Sequence, residues 1–119
     1  MATSIIKQVT NNSGTGYCKM PDGTLICWGN KTIPLTASHF INWSTADIKR
    51  ADLGDNNYIP FPVSFASPPA VSATINNDAW AFVLTVRAST TAIYEICIAR
   101  QTAYEGSYNL GWIAIGRWK

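Results

Sequence analysis

The chain has 119 residues, enough to bury one hydrophobic core and too few for two. Its hydrophobic share of 47% is that of an ordinary globular protein, whereas its charged share, 13%, is about half the usual quarter. A net charge of +2, with Lys49-Arg50 as the only adjacent basic pair, lacks the basic stripe that nucleic acid or an anionic membrane selects, and no window nears the roughly 18 apolar residues of a membrane span.

Residues 1–15 carry Ile5-Ile6 and then a polar, Gly-containing run, and read as a lead-in or linker to a domain over 16–119. This start lacks the basic region and apolar core of a secretory signal, so no signal peptide is expected. Residues 16–29 then spell a complete β-hairpin, with apolar-rich arms Tyr17 to Met20 and Thr24 to Trp28 flanking Pro21-Asp22-Gly23. Pro21 presets φ at the first turn position, Asp22 suits the second, and Gly23 accepts the left-handed conformation that closes a three-residue loop.

That loop length decides the fate of two cysteines. A two-residue Asp22-Gly23 turn would set Cys18 opposite Cys27 and invite a bridge; the three-residue turn sets Cys18 opposite Ile26 and favours two reduced, partly buried thiols. Cys18, Cys27 and Cys97 do not have the spacing of a zinc site, and no metal or other cofactor is expected.

Between Asn30 and Asn57 the pattern is ambiguous. Ser44-Thr45-Ala46-Asp47 resembles a helix start, Phe40, Ile41 and Trp43 fit a strand, and an ordered loop with one helical turn fits as well. From Tyr58 the β signal is strong. Ile59, Phe61, Val63 and Phe65 share one face, with Pro60 and Pro62 on the other marking an edge strand. Val71 to Ile75 is a short strand, and Trp80 to Ala88 and Ile93 to Arg100 form an antiparallel pair joined at Ser89-Thr90-Thr91. In the first of these, Trp80, Phe82, Leu84 and Val86 are expected on one face. Gln101 to Asn109 reads as a polar, aromatic loop, and Gly111 to Lys119 as a closing strand with Trp112, Ala114, Gly116 and Trp118 on one side. Six or seven short strands of this kind predict an all-β, antiparallel β-sandwich.

The hairpin Gly16-Tyr17 to Trp28-Gly29, the segment Phe61-Pro62-Val63-Ser64-Phe65 and the ending Trp112-Ile113-Ala114-Ile115-Gly116 resemble, in order and spacing, the C-terminal domain of bacteriophage tail fibres. The resemblance implies an H-type-lectin-like sandwich, assembled as a homotrimer in the host cytoplasm, that forms the host-recognising fibre tip of the virion. The chain departs from the family pattern at two glutamine positions, here Cys18 and Cys27, and this paired replacement argues somewhat for a bridge.

No nucleophile elbow, phosphate loop or metal motif appears, and the scattered acidic residues nominate no carboxylate pair from sequence, so no enzyme is expected. Glycan binding needs aromatic faces beside planar polar groups, because sugars offer an apolar C–H face and a rim of hydroxyls. Two loops supply such groups: Asn76-Asn77-Asp78 leading into Trp80, and Tyr104-Glu105 through Tyr108-Asn109. Plain turn chemistry and a core Trp80 explain the first loop equally well. His39 and Trp43 rank behind them. Trp28, Trp112 and Trp118 are assigned to the core or a subunit interface, and Arg87, Arg100 and Arg117 to contacts with acidic partners such as Glu95 across that interface. The function expected is non-catalytic recognition of a host surface glycan, without nucleic acid or membrane insertion. Alternatives are a structural trimerisation or capping module of a fibre and a cellular lectin of the same fold.

Overall fold

The computed structural model describes residues 7–10, 14–43, 45–52, 58–76, 81–100 and 105–119. The first sheet grows from the Pro21-Asp22-Gly23 turn, where Gly23 has φ 100°. Met20 N–H donates to the Thr24 carbonyl at 2.9 Å and Gly23 N–H to the Met20 carbonyl at 3.1 Å, closing a three-residue loop. The Asp22 carboxylate accepts the Thr24 N–H at 2.8 Å, and that hydrogen bond holds its pKa below the usual carboxylate value. Strands β2 (Gly16–Lys19) and β3 (Thr24–Leu35) leave this turn with Cys18 opposite Ile26 and Tyr17 opposite Cys27. The three cysteines are free, buried thiols.

Strand β1 (Lys7–Thr10) pairs antiparallel with β2, so the sheet begins within the segment expected to be a lead-in. The last strand of the chain, Gly106–Arg117, pairs with β3 along its whole length, and its other edge takes Ala70–Ile75. Their sequence of alternating residues puts Leu25, Cys27, Ile33 and Leu35 of β3, and Tyr108, Leu110, Trp112 and Ala114 of the last strand, into the core.

The ambiguous region resolves as strands rather than helix. After one 3-10 turn, Ala37–His39, come β4 (Phe40–Trp43) and β5 (Thr45–Asp52), an antiparallel pair. The segment that resembled a helix start is drawn into β structure because β5 also pairs with a strand some fifty residues on, through Lys49 opposite Arg100 to Asp52 opposite Cys97. The expected strand at Ile59 is paired over only two residues, β6 (Ile59–Pro60). Its alternation is retained, with Ile59, Phe61 and Phe65 buried, but Pro60 and Pro62 cannot donate to a ladder. The amides of Phe61 and Phe65 donate instead to the carbonyls of Thr91 and Thr90, at 2.8 and 2.9 Å.

The remaining strands in chain order are β7 (Ala70–Ile75), β8 (Phe82–Ala88), β9 (Ala92–Arg100) and β10 (Gly106–Arg117). The first sheet therefore runs β1-β2-β3-β10-β7, and the second runs β4-β5-β9-β6 with β8 on the other edge of β9. The ten strands among the described residues exceed the six or seven expected. In β8 the register slips between Val83 and Thr85, and this bulge breaks the expected single face: Phe82 is 56% exposed while Leu84 and Val86 are half-buried.

The two sheets close on each other. Phe40 of the second sheet lies against Tyr108 of the first, ring centroids 6.1 Å apart, and Phe61 against both Phe65 and Trp112 at 5.1 and 5.7 Å. Trp118 seals one end, its backbone N–H on the Gly23 carbonyl and its indole N–H on the Met20 carbonyl, both at 2.9 Å. The molecule is a rod-like sandwich of 55 × 27 × 26 Å.

Candidate functional site

The outer face of the first sheet is where the chain presents organised chemistry to solvent. Side chains alternate along a strand, so residues directly opposite each other share a face. On β3 and β10 this sets Ile26 opposite Ile115, Trp28 opposite Ile113, Asn30 opposite Gly111 and Thr32 opposite Asn109. On β7, Ala70, Ser72 and Thr74 continue the rows of Ile115, Ile113 and Gly111. One end of the face is therefore apolar and the other is built of amides and hydroxyls. No charged side chain lies in the rows of Asn30 and Thr32.

At the polar end the groups hold one another. Thr32 Oγ1 donates to Asn109 Oδ1 at 3.1 Å, and the Asn76 N–H donates to the Asn109 carbonyl at 2.8 Å. Gly111 is the floor between two amides: a Cβ there would lie 3.0 Å from Asn76 Nδ2 and 3.5 Å from Asn30 Oδ1. With Ser72, Ala73, Thr74, Trp112 and Ile113 it lines a shallow recess of about 220 Å³. Side-chain amides carry a donor and an acceptor in one plane, the complement of two neighbouring hydroxyls, and the exposed Ile113 offers an apolar edge beside them.

A second and larger recess, about 380 Å³, opens at the seam between the sheets. Ile59, Phe61 and Trp112 form its walls, Pro60 and Pro62 its lip, and Thr15, Asn30 and Lys31 its polar edge. Asn30 lines the cleft and stands opposite Gly111, the floor of the first recess, while Trp112 lines both.

The residues expected to bind are not all brought together. Asn76 and Asn109 meet at the polar end, joined through the backbone. Glu105 is exposed immediately before β10. Tyr108 does not lie on an exposed loop: β10 starts at Gly106, and the ring is fully buried against Phe40. The expected exposure of Tyr108 is thus corrected, because it falls on the same side of the strand as Leu110 and Trp112. Asn77, Asp78, Trp80 and Tyr104 lie outside the described residues. Nδ1 of His39 accepts the Thr36 N–H at 2.9 Å and so serves the 3-10 turn. The expected inter-subunit partner of Arg87 is found within the subunit, where Arg87 and Glu95 pair at 3.0 Å across β8 and β9.

Asn30, Thr32 and Gly111 were missed in the sequence. Their signal is the polar residues at alternate positions of two long strands, which becomes a site only once the register sets them side by side. Among the described residues no group of three His, Cys, Asp or Glu could hold a metal.

The fold that carries these recesses is that of fibre C-terminal regions. The chain is similar to the C-terminal part of the R2 pyocin fibre of P. aeruginosa, with 24% identity and a TM-score of 0.56 over 94% of this chain and 26% of that one. It is also similar to the C-terminal part of the R1 pyocin fibre of P. aeruginosa, at 17% identity and a TM-score of 0.54, covering 93% of this chain and 28% of that one. An N-truncated R1-type pyocin tail fibre gives 17% identity and a TM-score of 0.54, covering 93% of this chain and 86% of that one. The chain thus spans about a quarter of the length of the first two fibre structures. No protein-family model and no curated protein matches the chain.

Proposed function

We propose that this chain is the receptor-binding tip domain of a phage tail fibre or tail-like particle, and that it holds a host surface glycan without chemistry, as a homotrimer. The observation that carries the reading is the shared fold with pyocin fibre C-terminal regions over 94% of the chain. The amide and hydroxyl end of the outer sheet face supports a sugar as the ligand. Asn30 and Asn76 flank a glycine floor, and Asn30 lies within β3, where no turn explains its amide. On this reading the domain sits at the fibre tip on the virion after assembly in the host cytoplasm. Each site is weak, and three of them on one tip gain by avidity.

The apolar end of the same face favours its use in packing subunits, since exposed Ile113 and Ile115 stand beside half-buried Ile26 and Trp28. A purely structural trimerisation or capping module would use that end and leave the polar end idle. A glycan array on the purified domain decides between the two. Reproducible sugar binding that is lost in the Asn30→Ala/Asn76→Ala double variant, with the oligomer intact, supports recognition. An array without hits supports the structural module.

A further inference from the structure

The seam cleft bears on the charge of the ligand. Its apolar walls and three polar residues make the concave, mostly hydrophobic type of recess that small ligands occupy, and its about 380 Å³ lies in the usual range for them. The one cation on its edge is Lys31. That side chain is half-buried on the core-facing side of β3, opposite Leu110, and its ammonium reaches the Tyr58 carbonyl only at 3.5 Å. This is the outer limit of a hydrogen bond and uses one of three donors. No carboxylate pairs with it among the described residues. Four other cations are engaged: Lys19 and Lys119 lie over the Trp118 ring at 5.0 and 4.9 Å, Arg87 is on Glu95, and Arg117 donates to the Asp22 carbonyl.

A partly desolvated ammonium without a counter-charge, beside an apolar wall, is stabilised by an anion that enters the same space. We infer that the cleft receives an anionic sugar residue. Its carboxylate or phosphate substituent sits on Lys31 Nζ, its ring lies against the Phe61 and Trp112 side of the cleft, and its hydroxyls meet the Asn30 amide. Trp112 lines both this cleft and the recess over Gly111, and Asn30 stands opposite Gly111, so an uncharged neighbouring sugar of the same chain is held there, where no charged group stands. The inference rests on the glycan reading above and narrows it to acidic saccharides.

The test is an array of matched neutral, carboxylate-bearing and phosphate-bearing saccharides, read at low and high salt with the wild-type domain, Lys31→Met and Lys31→Arg. Wild type is expected to prefer the acidic members and to lose that preference at high salt. Lys31→Met keeps the stem and removes the charge, and is expected to weaken acidic binding at least about tenfold, while Lys31→Arg retains it. Comparing the two acidic sets tells carboxylate from phosphate. Lys31→Gln is the second neutral variant, and each variant's unfolding midpoint confirms that it is folded. Wild type that binds neutral sugars only, or acidic binding indifferent to Lys31→Met and Lys31→Gln, overturns this inference and leaves the glycan reading standing. Wild type that binds no saccharide overturns both.

Discussion

Gly29 lies directly opposite Trp112, and a Cβ at position 29 would come within 2.7 Å of the indole ring. The neighbours are ring atoms of a side chain that is 5% exposed and packed against Phe61, so the ring can yield only by disturbing that packing. The glycine is thus required by close approach rather than by a turn. Gly29→Ala is expected to lower stability by about 1–3 kcal/mol, the range for overpacking a core. Gly111→Ala, whose Cβ would meet an exposed Asn76 amide at 3.0 Å, is expected to cost clearly less. Denaturant midpoints of the two variants measure the difference, and equal losses refute the close-packing explanation.

Tyr108 gives the second prediction. Its ring is fully buried between the sheets and tilted against Phe40, so truncation removes core rather than a binding surface. Tyr108→Ala is expected to cost about 3–5 kcal/mol, as for other large aromatic deletions. Loss of ligand binding by this variant therefore accompanies loss of fold. A Tyr108→Ala protein with an unchanged thermal midpoint would contradict the burial.

These two positions mark what the sequence discloses and what it hides. The β2–β3 register was legible because all its determinants are local: Pro21, Asp22 and Gly23 choose the loop, and the loop sets Cys18 opposite Ile26. The strand identity of Thr45–Asp52 was not, because its partner β9 is far along the chain and supplies the pairing that overrides local propensity. Tyr108 was misread for a different reason. Polar neighbours and Gly106 look like a loop, although the alternation of Leu110, Trp112 and Ala114 extends backwards to it. The polar end of the outer face was half legible: Asn76 and Asn109 stood out as residue types, whereas Asn30 and Gly111 acquire meaning only from the register.

Cys27 makes the fold sensitive to alkali. Burial pushes its thiol up to about 11 from an ordinary value of 9.0, partly offset by a hydrogen bond from the Val63 backbone. The folded state therefore keeps a proton that the unfolded chain releases, so this contribution to stability is complete below pH 9 and is lost as pH rises towards 11. Chemical unfolding across that window is expected to show a falling midpoint with a shallower slope in Cys27→Ala. At pH 8 an aromatic disulfide reagent is expected to label Cys27 only on unfolding. Rapid labelling of the native protein at Cys27 would contradict both.

The apolar end of the outer face gives the last prediction, which concerns assembly. Ile113 and Ile115 are 41% and 47% exposed on adjacent outward positions of β10, and Ile26 and Trp28 stand directly across from them on β3. Side chains that already reach solvent contribute little to the fold of a single subunit, so replacing them by charges changes monomer stability by only about 0.5 kcal/mol. In a trimer packed through this face the same charges are buried unpaired, which is strongly unfavourable. Ile115→Asp is thus expected to sediment as a folded monomer at micromolar concentration, and the wild type is expected to sediment as a trimer. This variant separates packing from recognition, because Ile115 lines neither the recess over Gly111 nor the seam cleft. Binding to a single immobilised saccharide is expected to persist at the per-site affinity, while retention on a dense glycan surface falls as the threefold avidity disappears. An Ile115→Asp protein that remains trimeric places the subunit contact on another face.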